Sequence, residues 1–270
     1  MGLAHSDVSR MLEVATVAAR LGGQRAIEEL KYIKTSIKNG NEIVTQADTI
    51  CQQVIMDRIK ENYPDHGFIA EEGTDGGMLR WEPRGAEKIW WVIDPIDGSN
   101  NFSHRLLCFC VSIAVFHENQ PIVGVIFDPA TESMYTAVQG MEAQLNSSRI
   151  RASDEDISEF VSIGIDSHYT ADMEKGIGDI AKQTRFRNLG TTALHMAYVA
   201  SGAMVGMVST VTKIWDIAAG AVIVESAGGM LTDIGGAKLF PIDLAKYGGE
   251  EYRILAANKK THEKIAKMFR

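Results

Sequence analysis

The chain has 270 residues, 45% of them hydrophobic and 23% charged, which is enough apolar side chain for one large core or two fused halves and excludes a disordered protein. Its net charge of −8, from 27 Lys and Arg against 35 Asp and Glu, argues against a broad nucleic-acid-binding surface, because phosphate backbones call for clustered cations. The three cysteines, Cys51, Cys108 and Cys110, fit neither a disulfide framework nor a zinc site, no stretch approaches the ~20 apolar residues of a membrane span, and the N-terminus lacks a signal core, so the cytoplasm is the expected compartment.

From the N-terminus, Val8, Met11, Leu12, Ala15, Ala18 and Ala19 recur at helical spacing and predict a helix from about Asp7 to Lys34. A second helix is predicted from about Thr45 to Glu61, closed by Tyr63-Pro64-Asp65. Gly67 to Ala70 reads as a short strand that ends in two acids, Glu71 and Glu72, whose plainest role is a solvated turn. The glycines and prolines from Gly73 to Gly85 predict a polar loop.

The run from Lys88 to Ile93 is aromatic and β-branched and predicts a buried strand, so Asp94 falls where that strand runs out. Pro95 removes a backbone donor and stiffens the turn, so that Asp94, the Ile96 carbonyl and Asp97 can converge on a hard cation, which takes oxygen ligands. Gly98 permits close backbone approach to a ligand. Asp-Pro and Asp-Gly are also ordinary turn sequences, and on these residues alone the two readings are even.

Three further strands are predicted at Phe109 to Phe116, Ile122 to Phe127 and Met134 to Val138, with short turns that imply an antiparallel meander. The polar stretch from Asn146 to Ser158 is a candidate joint between halves, after which strands alternate with helices. A helix is predicted from Thr191 to Ser201 after a turn at Gly190; within it His195 reads as a packed residue, and Met196, Met204 and Met207 as core fillers. His104 reads as a structural hydrogen-bonding residue. Asp216 opens an apolar helix running to about Ala227, where its plainest role is that of an N-cap.

The Asp94-Pro95-Ile96-Asp97-Gly98-Ser99 segment with Asn101, Phe102 and His104 behind it, the Glu71-Glu72 pair, Trp215-Asp216 with its helix, and Gly190-Thr191-Thr192-Ala193 together resemble the inositol monophosphatase family of lithium-sensitive, magnesium-dependent phosphatases. The resemblance implies a layered α-β-α-β-α sandwich, mixed α+β and α/β, over residues 1–270. Its halves would be about 1–147, with most metal ligands, and 148–270, with Asp216 and substrate contacts. It also implies a homodimer, and two to three Mg²⁺ ions with Li⁺ and Ca²⁺ inhibitory. By the same resemblance Glu71, Asp94 and the Ile96 carbonyl bind one ion, Asp94, Asp97 and Asp216 a second, and Glu71 a weaker third. Lys38 and Asp48 match further catalytic positions, with Lys34 a rival for the lysine and Glu42 standing where the family has Asp.

The implied reaction is hydrolysis of a phosphate monoester by water, with paired Mg²⁺ ions about 3.5–4 Å apart relieving the repulsion between nucleophile and dianion. Glu71 and Ser99 would orient and deprotonate the water, Asp97 and Asp216 would steady the leaving oxygen, and the Gly98 and Ser99 amides would hold phosphate oxygens. Gly190, Thr191, Thr192, Ser209 and Asp216 complete the expected substrate contacts. Ser209 stands where inositol phosphatases carry a hydroxyl-binding carboxylate, and Lys213 either meets a second anionic group or is a solvated charge. Ser209 removes the firmest support for inositol recognition, and by the resemblance inositol 1-phosphate is still the leading substrate, with fructose bisphosphate, histidinol phosphate and phosphoadenosine phosphate as alternatives. No membrane or direct nucleic-acid partner is expected. A relative in the family serves in bacterial transcription complexes, so a protein-binding role is the second class of function.

Overall fold

The computed structural model describes residues 3–33, 35–38, 42–74 and 76–270, and only the backbone of 35–38 and 42–45. Lys34 and the Lys38 side chain, both candidates for the catalytic lysine, lie outside the described residues, as does the Glu42 side chain.

A first sheet runs β10-β9-β8-β7-β6-β5-β3-β4. Its strands are β3 (Gly67–Ala70), β4 (Leu79–Trp81), β5 (Trp90–Asp97), β6 (Cys110–His117), β7 (Gln120–Asp128), β8 (Ser133–Val138), β9 (Gln144–Leu145) and β10 (Ser148–Arg149). All neighbours are antiparallel except β3 and β5. Before it stand α1 (His5–Glu29), the hairpin β1 (Thr35–Lys38) and β2 (Glu42–Thr45), and α2 (Gln46–Asn62). A second sheet runs β12-β11-β13-β15-β14, from β11 (Ser162–Ile165), β12 (Arg185–Arg187), β13 (Gly206–Thr212), β14 (Met230–Asp233) and β15 (Tyr252–Ala257). Here β11 is parallel to both β12 and β13. The remaining helices are α3 (Ser99–Ser103), α4 (Glu174–Gln183), α5 (Thr192–Ala200), α6 (Ile214–Ser226) and α7 (His262–Met268).

Side-chain alternation makes the layers. On β5, Trp91 and Ile93 pack with Met11, Val14, Ile55 and Ile59 of α1 and α2, while Trp90 and Val92 pack with α5 and α6 on the opposite face. With both faces covered, the strand reads as one unbroken apolar run. The same α5 and α6 cluster reaches Ile254 and Ala256 of β15, and the other face of that sheet is covered by Ile180 of α4 and Ile265 of α7. Helices and sheets thus alternate in five layers, the α-β-α-β-α order that the resemblance implies. Among the described residues no helix is long and apolar enough to cross a membrane.

Several boundaries differ from expectation for physical reasons. Helix α1 stops at Glu29 and tightens into a single 3₁₀ turn, Leu30–Tyr32, from which Leu30 packs into the cluster of Ala26 and Phe102. The loop after Glu72 contains β4, where Trp81 pairs with Phe68 and lies under Lys60, whose Nζ is 3.6 Å from the ring centre. The supposed joint begins as a hairpin, β9 and β10, turned through Asn146 and Ser147, both with positive φ. The acid-bearing strand does not end at Ile93 but continues to Asp97. Between Asp94 and Asp97 β5 advances three residues while β6 advances two, from Ser112 to Cys110. That bulge restores the facing that strict alternation would break, so both acids lie on the α5 and α6 side.

A candidate phosphatase site between the two sheets

Five elements bring the site residues together. Asp94 and Asp97 come from the bulged end of β5, Glu71 from just beyond β3, and Asp216 from the first turn of α6. Asp48 comes from the first turn of α2, and Ser99 opens α3. Pro95 has no N–H, so the first available donor is that of Ile96, and it binds Asp94 Oδ1 at 3.0 Å. The Ser99 Oγ lies 2.7 Å from Asp48 Oδ1 and 2.9 Å from the Ile96 carbonyl oxygen, joining three of the expected site residues.

Gly98 precedes α3 at φ +103°, and a Cβ there would stand 3.0 Å from the Cys108 carbonyl oxygen, so the tight turn into the helix needs glycine. Gly190 is constrained likewise: its φ is +68°, and a Cβ would stand 2.8 Å from Asn101 Nδ2. That amide donates to the carbonyls of Cys108 and Leu189 at 2.7 and 2.6 Å, tying the α3 turn of one half to the approach to α5 in the other. His104 rests against the Asn100 carbonyl, Nδ1 to oxygen 2.9 Å, the structural role expected of it.

Helix α5 addresses Asp97. Thr191 is its N-cap, accepting the Leu194 N–H at 3.3 Å, and its hydroxyl donates to Asp97 Oδ2 at 2.7 Å. The Ala193 N–H donates to the same oxygen at 2.6 Å, so the positive end of the helix holds the carboxylate. Asp216 is not the N-cap of α6. That position is Lys213, and Asp216 sits a turn inside, its Oδ2 accepting the Lys213 N–H at 2.6 Å.

Burial acts on all three acids. It pushes Asp94 well above the ordinary carboxylate range, with the negative charges of Glu71, Asp97 and Asp216 adding to it. Asp216 rises to about 8 through burial and the charge of Asp97. Asp97 rises only to about 6, because Thr191 and the amides of α5 favour its ionised form.

Among the described residues no three histidine, cysteine or acidic side chains form a ready-made metal cage. The Asp94 carboxyl instead lies close to those of Glu71 and Asp216, and their charges disfavour its ionisation. The groups acting most strongly on these acids are other acids, hydroxyls, a thiol and backbone N–H groups, with no lysine or arginine side chain. A buried, mutually repelling set of oxygen donors suits hard divalent cations, so the residues fit the expected Mg²⁺.

The expected substrate contact Ser209, and Lys213, whose role was open, are both engaged within the protein. Ser209 is fully buried, and its hydroxyl donates to Asp166 and lies 3.3 Å from Thr192 Oγ1. Lys213 Nζ is 2.8 Å from the Gly249 carbonyl oxygen and 3.2 Å from Glu251 Oε1.

Sequence reasoning missed the residues that hold the site. Gln52 of α2 donates to the Glu72 carbonyl at 2.5 Å and accepts its N–H at 2.9 Å, fixing the Glu71-Glu72 backbone. Tyr247 accepts the Ile214 N–H at 3.1 Å and donates to the Glu250 carbonyl at 3.0 Å, bracing the start of α6 beside Trp215. Asp166 was also missed. A buried polar residue on a helix face was a usable signal for Gln52; nothing local marks the other two.

Acids from the first sheet and from two helix starts, gathered beside the Gly98 turn, define a class: a two-sheet layered α/β fold with a polyacidic centre. The chain belongs to the inositol monophosphatase family, whose profile matches residues 7–270. Among curated relatives, the protein named Nus factor SuhB from Pasteurella multocida is 37% identical over 238 residues, covering 84% of this chain and 86% of the relative. Among solved structures, an IMPase from Thermotoga maritima is 31% identical with a TM-score of 0.83, covering 96% of each chain. A more distant one, described as an IMPase/NADP phosphatase complexed with Mg²⁺ and phosphate, shares the fold at 21% identity and a TM-score of 0.81, covering 97% of this chain and 95% of its own.

Proposed function

We propose that the chain is a magnesium-dependent phosphate monoester hydrolase acting on inositol 1-phosphate. The observation that carries this reading is the clustering of Asp94 and Asp97, at 2% and 8% exposure, with half-buried Asp216, their ionisation suppressed by burial and by one another's charge. A fold gains nothing from such a cluster unless cations use it. Bound Mg²⁺, held by Glu71, Asp94, the Ile96 carbonyl, Asp97 and Asp216, would supply positive charge against the phosphate dianion and acidify a water.

The chain's own groups do the rest. Glu71 is the base that takes the water's proton, and Ser99, hydrogen-bonded to Asp48, orients that water through its hydroxyl. The Gly98 and Ser99 amides at the start of α3 face the phosphate oxygens, and Thr191 and Ala193 hold Asp97 at a fixed angle. The leaving alkoxide is steadied on the Asp216 side and takes its proton from water. Lys38 remains a proposed electrostatic contributor. Phosphate release from myo-inositol 1-phosphate, abolished by Asp94→Asn in a folded chain, tests the reading.

A second reading is favoured by one finding, the name Nus factor carried by the Pasteurella relative. It makes the chain a regulatory protein-binding subunit, and it weakens the expectation that nucleic acid plays no part. A cellular effect that survives Asp94→Asn would support that reading over the enzyme.

A further inference from the structure

The parallel register of β11 and β13 places Ile165 beside Val208, and so brings Asp166, just past the C-terminal end of β11, beside Ser209 in the middle of β13. In parallel sheets such ends are where ligands are met. From Asp97 a polar chain runs through Thr191 at the cap of α5 to Thr192, from Thr192 to Ser209, and from Ser209 to Asp166. Ser209 is fully buried, Thr192 nearly so, and Asp166 alone of these last three keeps 19% of its side chain exposed. Asp166 is therefore the partly exposed end of this network. Burial and the charge of Asp97 raise Asp166 to about 7, and its own charge acts on Asp216, so it lies near both of these acids.

His195 supplies an independent pointer. It is fully buried, and its Nε2 accepts the Leu189 N–H at 3.1 Å, so in the neutral ring the proton must sit on Nδ1. Burial drops the ring to about 4, which keeps it neutral. That Nδ1–H has no hydrogen-bond partner among the described residues, and it lies 3.8 Å from Asp166 Oδ1, too far for a hydrogen bond. A buried donor without a partner is costly, and here it stands at the rim of the Asp166 carboxylate.

We infer that Asp166, positioned by Ser209 and flanked by His195, reads the alcohol half of the substrate, accepting hydrogen bonds from a hydroxyl and so selecting polyol monophosphates over bisphosphates. The inference rests on the phosphatase reading above. Ser209 and the Thr210 N–H occupy part of the carboxylate's capacity, and the rest remains for hydroxyl donors. A carboxylate repels phosphate, so it belongs against the alcohol, and a second phosphate group there would meet like charge. The hydroxyl-binding acid expected at Ser209 is thus carried on the neighbouring strand.

The test compares wild type, Asp166→Leu and Asp166→Asn with Mg²⁺ on myo-inositol 1-phosphate, fructose 1,6-bisphosphate and 4-nitrophenyl phosphate, which has no alcohol hydroxyl. Asp166→Leu should cut kcat/KM for the inositol ester at least about tenfold and leave the aryl ester within about twofold. Asp166→Asn should narrow the preference over the bisphosphate. A parallel fall on all three esters, or no change on the inositol ester, would overturn the inference. If wild type turns over none of them, the phosphatase reading fails separately, and calorimetric binding of myo-inositol 1-phosphate decides this one. Binding weakened by Asp166→Leu supports it, and binding unchanged or undetectable refutes it.

Discussion

Thr191→Val removes one hydroxyl that serves two purposes. Valine keeps the shape, so no cavity forms at this buried position, which is 2% exposed. The N-cap contact to the Leu194 N–H is worth about 1 kcal/mol. The 2.7 Å donation to ionised Asp97 adds about 1.5–3 kcal/mol, as for hydrogen bonds to charged groups. The sum is about 2.5–4 kcal/mol, and Thr191→Ser, which keeps the hydroxyl, should cost about 1 kcal/mol through its lost methyl. Urea unfolding at pH 8, where Asp97 is ionised, reads both variants. A loss below about 0.5 kcal/mol for Thr191→Val, or equal losses for the two, would refute the claim that this hydroxyl holds Asp97.

The metal-free chain should lose stability as pH rises from about 6.5 to 8.5, because Asp216, raised to about 8, keeps a proton that the unfolded chain has already released. Raised acids stabilise fully below their unfolded values and lose that contribution as pH passes the folded value. The neutral buried His66 and His195, lowered to about 4, act in the opposite sense only below about 6.5; thermal melts across this range, with and without Mg²⁺, check the sign. Gln52→Leu orphans the Glu72 N–H and should cost about 1–3 kcal/mol in urea unfolding while raising the Mg²⁺ concentration needed for half-maximal turnover. Gly190→Ala should destabilise by about 1–3 kcal/mol through its positive φ and the contact with Asn101, and a melting temperature within a degree of wild type would contradict that.

Much of the site was legible because its acids sit next to local signals. Apolar runs mark β3 and β5, Pro95 and Gly98 mark the turn chemistry, and the apolar helix after Trp215 marks the start of α6. What was not legible is register and distance. The bulge that turns Asp94 and Asp97 to one side depends on the β5 and β6 pairing, which alternation within β5 does not reveal. Asp166 and Ser209 are 43 residues apart and meet only through the parallel pairing of β11 and β13. Gln52 and Glu72, 20 residues apart, meet only once α2 packs on the sheet. The N-cap expected at Asp216 moved to Lys213 because the side chain of an acid in the first turn can reach back to the cap's N–H as well as serve as the cap itself.

The central claim is that the buried acids exist to hold cations for phosphate ester hydrolysis. Phosphate release from myo-inositol 1-phosphate, measured for wild type and Asp94→Asn over a Mg²⁺ titration with circular dichroism confirming the fold, tests it most directly. The account predicts saturable Mg²⁺-dependent turnover in wild type and none in the variant. Turnover that ignores Mg²⁺, or that survives Asp94→Asn, would contradict it.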